Sequence, residues 1–375
     1  MPSEHQKRLK TLQAYLIEKN LDTMIISDPA AIAYYIGVKF DPMERLWLLL
    51  VPQEGPSQVI ANELFVLDDL QVDDLSITWV KDTHTISQAF QSLVYPLDQE
   101  KHLQVGIDKN WRAGQFLPIA ADYPNATFTL ASDIVDQQRA IKTIEEQKAM
   151  RLASEINDRA MGRLIQEVLP LGLSELEAVD RLKTIYAQEG ADSGFSFDPI
   201  IAYGGNGADP HHEPDHSKPL PGDAIVIDIG CQHQGYCSDM TRTVYYGEVS
   251  DLDRKLYNLA KQANQAGIEA VICGQPLSSV DQASRNVIAK QGYDENFTHR
   301  TGHFIGQETH EAGDVSASNH TPIQAGNIFS IEPGIYLSGQ TAVRIEDLVI
   351  AHEDSVEVIN HYSKDLTVIP LAKTE

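Results

Sequence analysis

Four acidic residues stand where packing alone does not explain them. Asp228 closes an apolar run, Ala-Ile-Val-Ile-Asp-Ile-Gly, and Asp239 follows in Cys-Ser-Asp-Met-Thr-Arg-Thr. Residues 232–235 between them read as a hairpin turn, so two strands can bring both carboxylates to one point. Glu332 ends a second apolar run before Pro-Gly, and Glu346 lies inside a third, Val-Arg-Ile-Glu-Asp-Leu-Val-Ile. Unpaired carboxylates in buried strands are costly, and four that converge repel one another unless they are protonated or bound to cations. Two divalent ions satisfy such a set. Carboxylates with a minority of imidazole suit Mn²⁺, with Zn²⁺ and Co²⁺ as alternatives.

The imidazoles cluster nearby in the chain. His299, His303 and His310 fall within Thr-His-Arg-Thr-Gly-His-Phe-Ile-Gly-Gln-Glu-Thr-His-Glu. Gly302 and Gly306 argue for strand or loop there, and the spacing is neither that of a zinc finger nor the helical H-E-x-x-H. His211 sits in a Pro-bounded loop, Asp-Pro-His-His-Glu-Pro, from which it can reach a site as a hydrogen-bond donor. Other chemistries lack their marks. Residues 204–207 are not G-x-G-x-x-G, and no G-x-S-x-G elbow occurs. Cys231 and Cys237 flank the turn beside the aspartates; with so much oxygen ligation available, both are expected to pack.

These residues need elements to hold them. Residues 4–20 read as an amphipathic helix, and short apolar runs separated by helical patterns follow, as in an α/β domain. Thr143 and Glu146 form a capping box that opens a helix over 143–168. The domain boundary therefore falls near 135–142, giving domains 1–135 and 136–375. Beyond it the pattern is helix, helix, strands, twice over: helices at 174–189, 251–273 and 279–291, and strands at 200–203, 224–229, 241–246, 327–332 and 343–350. The expected fold class is α/β (α+β), with an architectural duplication in the second domain.

Composition narrows the partners. The 375 residues hold 29 Lys plus Arg against 54 Asp plus Glu, a net charge of −25. That balance argues against nucleic acid and anionic membrane surfaces. Three cysteines cannot make a disulfide framework, no run is long enough to span a bilayer, and residues 1–20 lack a signal-peptide core. A reducing, cytoplasmic location is expected.

In order, Asp-x-Gly, Ser-Asp-Met-Thr-Arg-Thr, Gly-His-x-Ile-Gly, His-Glu, Glu-Pro-Gly-Ile-Tyr and Val-Arg-Ile-Glu-Asp resemble the Xaa-Pro peptidases of the pita-bread fold, prolidase and Xaa-Pro aminopeptidase. The motifs cover about 140–365; residues 1–135 are similar to a creatinase-type N-terminal domain by length and coarse pattern. The resemblance implies two metal ions per chain on Asp228, Asp239, His303, Glu332 and Glu346, with Asp239 and Glu346 shared. It implies hydrolysis of the bond before proline, a tertiary amide without an N–H, by a metal-bridging water. Glu332 is then the general base, and His310 and His211 stabilise the oxyanion or orient substrate. His299 lines the proline or carboxylate side, and Arg344 holds the site carboxylates or hydrogen-bonds near the substrate. Two departures stand out: Phe304, where the family usually has glycine, is expected to narrow the pocket or shift the loop, and Cys231 replaces what is usually a small residue.

A dipeptidase must also recognise the free carboxylate of a small Xaa-Pro peptide, and Arg300 is the candidate for it. Asp41 and Arg45, in the loop Phe-Asp-Pro-Met-Glu-Arg, are candidates to close over the site from the same or a partner subunit. A homodimer is implied by resemblance alone. The rival readings are an Xaa-Pro aminopeptidase acting on longer peptides and a non-enzymatic peptide-binding module on the same fold.

Overall fold

The computed structural model describes residues 3–67, 72 and 75–372. The chain divides into two compact units, Met1–Arg139 and Ala140–Glu375.

The first unit is built on a six-stranded mixed sheet. Its strands lie in the order Ser76–Val80, Gln58–Asn62, Leu48–Pro52, Thr23–Ile26, Gln104–Ile107, Thr127–Leu130. Alternate residues of the central strands enter opposite cores. Met24, Ile26, Leu49 and Val51 pack on one face, and Ile25, Leu48 and Leu50 on the other. A strand buried on both faces reads as a continuous apolar run, as the sequence does here. The helix expected over 4–20 spans Glu4–Glu18, and Ser3 and Gln6 cap it reciprocally.

The second unit repeats one plan. Helices Ile144–Arg163 and Glu175–Glu189 accompany a four-stranded sheet ordered Val368–Ile369, Met240–Tyr246, Ala224–Ile229, Ile200–Tyr203. Helices Asp251–Glu269 and Leu277–Ala289 accompany a five-stranded sheet ordered Glu311–Val315, Gly302–Phe304, Ile328–Ile331, Asp347–Ala351, Val356–Val358. A separate ribbon pairs Gly334–Leu337 with Thr341–Arg344. Period-2 alternation sorts the faces. Ile225, Ile227 and Ile229 pack against the first helix pair through Ile156, Ala160, Leu182 and Tyr186. Asp228 therefore points away from those helices, on the face that carries the site.

The sequence suggested one strand over 343–350. The structure breaks it at Ile345 and Glu346: Thr341–Arg344 belongs to the ribbon and Asp347–Ala351 to the five-stranded sheet. At the break the Glu346 amide donates to the Thr241 carbonyl, at 3.1 Å, which joins the two sheets at the site. Among the described residues, no helix is long and apolar enough to cross a membrane.

Candidate metal centre

Asp228 and Asp239 meet across one hairpin. Strands Ala224–Ile229 and Met240–Tyr246 are antiparallel with Asp228 opposite Thr241. Gln234 and Gly235 close the connection with φ of 50° and 78°, the signature of a tight primed turn. Gly230 is required because its strand runs against the other: a Cβ there would lie 2.1 Å from the Ser238 carbonyl oxygen. Gly302 has the same reason, with a Cβ 1.8 Å from the Ser330 carbonyl oxygen. That close approach sets His303 beside Glu332, which directly follows strand Ile328–Ile331.

The acidic and imidazole groups then converge. Ligand atoms of Asp239, His303 and Glu346 lie within 4.8 Å of one another. His303 Nε2 is 3.5 Å from Asp239 Oδ2 and 3.6 Å from Glu332 Oε1. The Ser330 hydroxyl donates to Glu332 Oε1 at 3.1 Å. Asp228 is fixed by the Arg344 guanidinium, Nη2 to Oδ2 at 2.8 Å. The same guanidinium donates from Nε to the Thr241 hydroxyl and from Nη1 to the Tyr336 hydroxyl. Thr241 in turn donates to Glu346 Oε2, 2.7 Å away.

The donor set fits metal ions. Asp228 Oδ1, Asp239 Oδ1 and Glu346 Oε1 are buried and lack a hydrogen-bond partner. Buried unsatisfied carboxylate oxygens are expensive, and a cation is the group that satisfies several at once. Burial first, and then the neighbouring carboxylates, push Asp239 and Glu346 well above the usual carboxylate range. Asp228 is also raised, by burial, with Arg344 opposing. Glu332 differs. Burial works to raise it, but His303, His299 and Arg344 outweigh that and hold it below its ordinary value.

The histidines have separate settings. His310 stacks edge-on to His303 with ring centres 4.2 Å apart. Burial first, and then the neighbouring His303 and Arg300, lower it to about 4, so it is a neutral imidazole at neutral pH. Tyr336 accepts from Arg344, so its own proton goes to His299 Nε2, 2.8 Å away. His299 Nδ1 donates to the Arg300 carbonyl at 2.7 Å. With both nitrogens engaged, His299 presents the cavity with a ring rather than a free hydrogen-bonding atom; burial lowers its pKa accordingly.

A cavity of about 630 Å³ opens over this cluster. Asp228, Asp239, His303, Glu332, Glu346, Arg344, His299, Arg300, His310 and His211 all line it. The Arg300 side chain is exposed and makes no hydrogen bond or ion pair with a described residue. Asp41 and Arg45 belong to the first unit. There Arg45 pairs with Asp82 through Nε and Nη2, both at 3.0 Å, and Asp41 Oδ1 accepts from the Met43 amide.

One expectation is corrected. Phe304 does not narrow the cavity. It follows His303 in the strand and so faces the opposite side, in the core with Phe329, Val280 and Val315. Thr241, Tyr336 and Ser330 were missed by the sequence reading. Thr241 carried a signal, since it lies two residues from Asp239 on one strand face. Cys231 and Cys237 pack in the core, and burial pushes the Cys231 thiol up to about 11.

Comparison with known proteins follows this geometry. The sequence profile described as metallopeptidase family M24 matches residues 148–353, and that of the creatinase/prolidase N-terminal domain matches 8–141. The chain is 31% identical over 371 residues to a Xaa-Pro dipeptidase of Lactobacillus helveticus, covering 97% of this chain and 99% of that one. A prolidase structure from Thermococcus sibiricus superposes with a TM-score of 0.89 at 32% identity, over 98% of this chain and 100% of that one. An X-Pro aminopeptidase from Thermotoga maritima gives 0.80 at 28% identity, over 93% and 98%. The carboxylate cluster and the profile coincide on the second unit, and the chain belongs to metallopeptidase family M24.

Proposed function

We propose that this metallopeptidase cleaves the bond before proline in Xaa-Pro dipeptides. The observation that carries the substrate reading is Arg300. Arg344 is the other arginine at the cavity, and Asp228, Thr241 and Tyr336 already take its donors. Arg300 is thus a cavity cation with donors to spare, and a guanidinium binds a carboxylate bidentately. The names of the similar Lactobacillus and Thermococcus proteins point the same way.

Asp228, Asp239, His303, Glu332 and Glu346 would hold two divalent ions, with Asp239 and Glu346 serving both. When bound, the ions supply a water of lowered pKa and an electrophile for the scissile carbonyl. Manganese is the proposed metal because four of the five ligands are carboxylates. Glu332, ionised, takes the proton of the attacking water and returns it to the departing proline nitrogen. His310, neutral, and His211 donate N–H groups to the oxygen that gains charge. His299 packs beside the proline ring. Asp41 and Arg45 would close over substrate from the same or a partner subunit, and the chain would form a homodimer. Three cysteines with no disulfide among the described residues fit a reducing cytoplasm.

The test is turnover of Ala-Pro against Ala-Pro-Ala with Mn²⁺, Co²⁺ or Zn²⁺, for wild type and Arg300→Gln. The dipeptidase reading expects preference for Ala-Pro and a KM raised about 10-fold or more in the variant, the cost of a lost charged hydrogen bond. Preference for Ala-Pro-Ala would instead support the aminopeptidase reading, which the Thermotoga likeness keeps open. Light scattering tests the dimer.

A further inference from the structure

A second acidic cluster lies away from the metal ligands. Glu175 is the first residue of helix Glu175–Glu189 and is wholly buried. Its oxygens do not cap its own helix; Ser174 does that. They face the segment 203–217 instead. Oε1 accepts from the Tyr203 amide at 2.9 Å and the Asn206 side-chain amide at 3.0 Å. Oε2 accepts from the Asp215 amide at 2.9 Å and lies 2.7 Å from His212 Nε2. The helix adds two bonds of its own: the Glu175 and Leu176 amides donate to the Ser217 and Asp215 carbonyls.

Glu175, His212 and Asp215 are close enough to hold a cation. The donors argue otherwise. All four contacts on the Glu175 carboxylate come from nitrogen, and Asp215 Oδ1 accepts from the Ser217 amide. The metal centre shows the opposite pattern, with three orphaned oxygens. The cluster is a clamp. What it clamps is a segment that is irregular beyond its short 3-10 turn, and that carries His211 into the cavity.

We propose that Glu175 is a positioning residue: through His212 and the Asp215 amide it fixes the loop that presents His211 to substrate. This rests on the role proposed above for His211. A carboxylate is required because every facing group donates. Glutamine would turn its NH₂ toward two of those donors in either orientation.

The test compares wild type, Glu175→Gln, His211→Ala and the double variant as manganese-loaded enzymes. Two readouts are taken. The first is amide hydrogen exchange over 204–217, which does not depend on turnover. Faster exchange confined to that segment is expected in Glu175→Gln; unchanged exchange overturns the clamp. The second is kinetic. Misplacing His211 should lower kcat about 10-fold and leave KM within about twofold, with no further loss when Glu175→Gln is added to His211→Ala. Equal losses in both backgrounds overturn the inference and leave His211 its role. A silent His211→Ala overturns the His211 reading as well. If no Xaa-Pro peptide is cleaved, the substrate reading fails and exchange alone decides the clamp. Should Glu175→Gln not fold, His212→Phe takes its place with the same two readouts, and His212→Gln, which keeps a donor, is expected to restore both.

Discussion

His303 and Asp239 face each other acceptor to acceptor. His303 Nδ1 donates to the Phe304 carbonyl at 3.2 Å, so Nε2 turns a lone pair toward Asp239 Oδ2, 3.5 Å away. Glu332 Oε1 stands 3.6 Å from the same nitrogen. Lone pairs so arranged repel unless a cation lies among them. Chelation should therefore cost stability as well as turnover. The expected result is a Tm lowered by several degrees in excess chelator and restored by Mn²⁺ in a concentration-dependent way, since a ligand bound to the native state stabilises by about 2.7 kcal/mol at one hundred times its Kd. A Tm indifferent to chelator would remove the cluster from metal binding.

Arg344 joins what the sheets bring together. One guanidinium holds Asp228, Thr241 and Tyr336, and Tyr336 sets the His299 tautomer. Lysine keeps the charge but not the fork. Arg344→Lys is expected to weaken Mn²⁺ binding about 10- to 100-fold, the range seen when a partner that orients a ligand is lost. In the metal-free protein, Arg344→Met leaves Asp228 buried beside no cation and should destabilise by about 3–5 kcal/mol. Manganese titration and chemical denaturation measure the two effects. Wild-type affinity in Arg344→Lys would show that the charge alone suffices.

Phe304 marks a limit of reading substrate preference from a motif. Its neighbour His303 lines the cavity, yet its own ring lies 5.5 Å from that of Phe329 in the core. Phe304→Leu should cost about 1 kcal/mol of stability, as near-conservative core exchanges do. The ratio of kcat/KM between Ala-Pro and a bulkier dipeptide such as Phe-Pro should not move. A changed ratio would place Phe304 at the substrate after all.

The same strand shows what the sequence makes legible. The motifs located the carboxylates and histidines because each residue type is unusual where it sits: acids in apolar runs, imidazoles between glycines. The apolar run over 224–229 also marked the strand on which Asp228 rides. Side-chain direction at position 304 was not legible, because it depends on where strand Gly302–Phe304 meets its neighbours. Nor was the break at Glu346, since Val343 to Ile350 is apolar throughout but for its charged residues. Glu175 gave no local signal; a glutamate at the first turn of a helix is ordinary, and its four donors come from residues 28 to 40 positions away.

Outside the site, Glu357 gives a pH prediction with a defined sign. Arg151 grips it through Nε and Nη2, both at 2.7 Å, and His352 Nε2 adds a contact at 2.9 Å. The Arg151 hydrogen bonds, first, and His352 hold its carboxyl down at about 2, against opposing burial. A pKa depressed by folding stabilises above the unfolded value, near 4.3, and that contribution is lost as pH falls from there toward 2. The pair ties helix Ile144–Arg163 to strand Val356–Val358, but the Glu357 side chain is 36% exposed, so solvent screens it. The expected cost of Glu357→Gln at pH 7 is about 1 kcal/mol, at the upper end for exposed bidentate pairs. Urea unfolding of both proteins from pH 7 to pH 3.5 measures it. The difference should hold steady down to about pH 5 and then narrow as wild-type Glu357 begins to take up its proton in the unfolded chain. A constant difference across that range would mean that the stabilisation is packing, not charge.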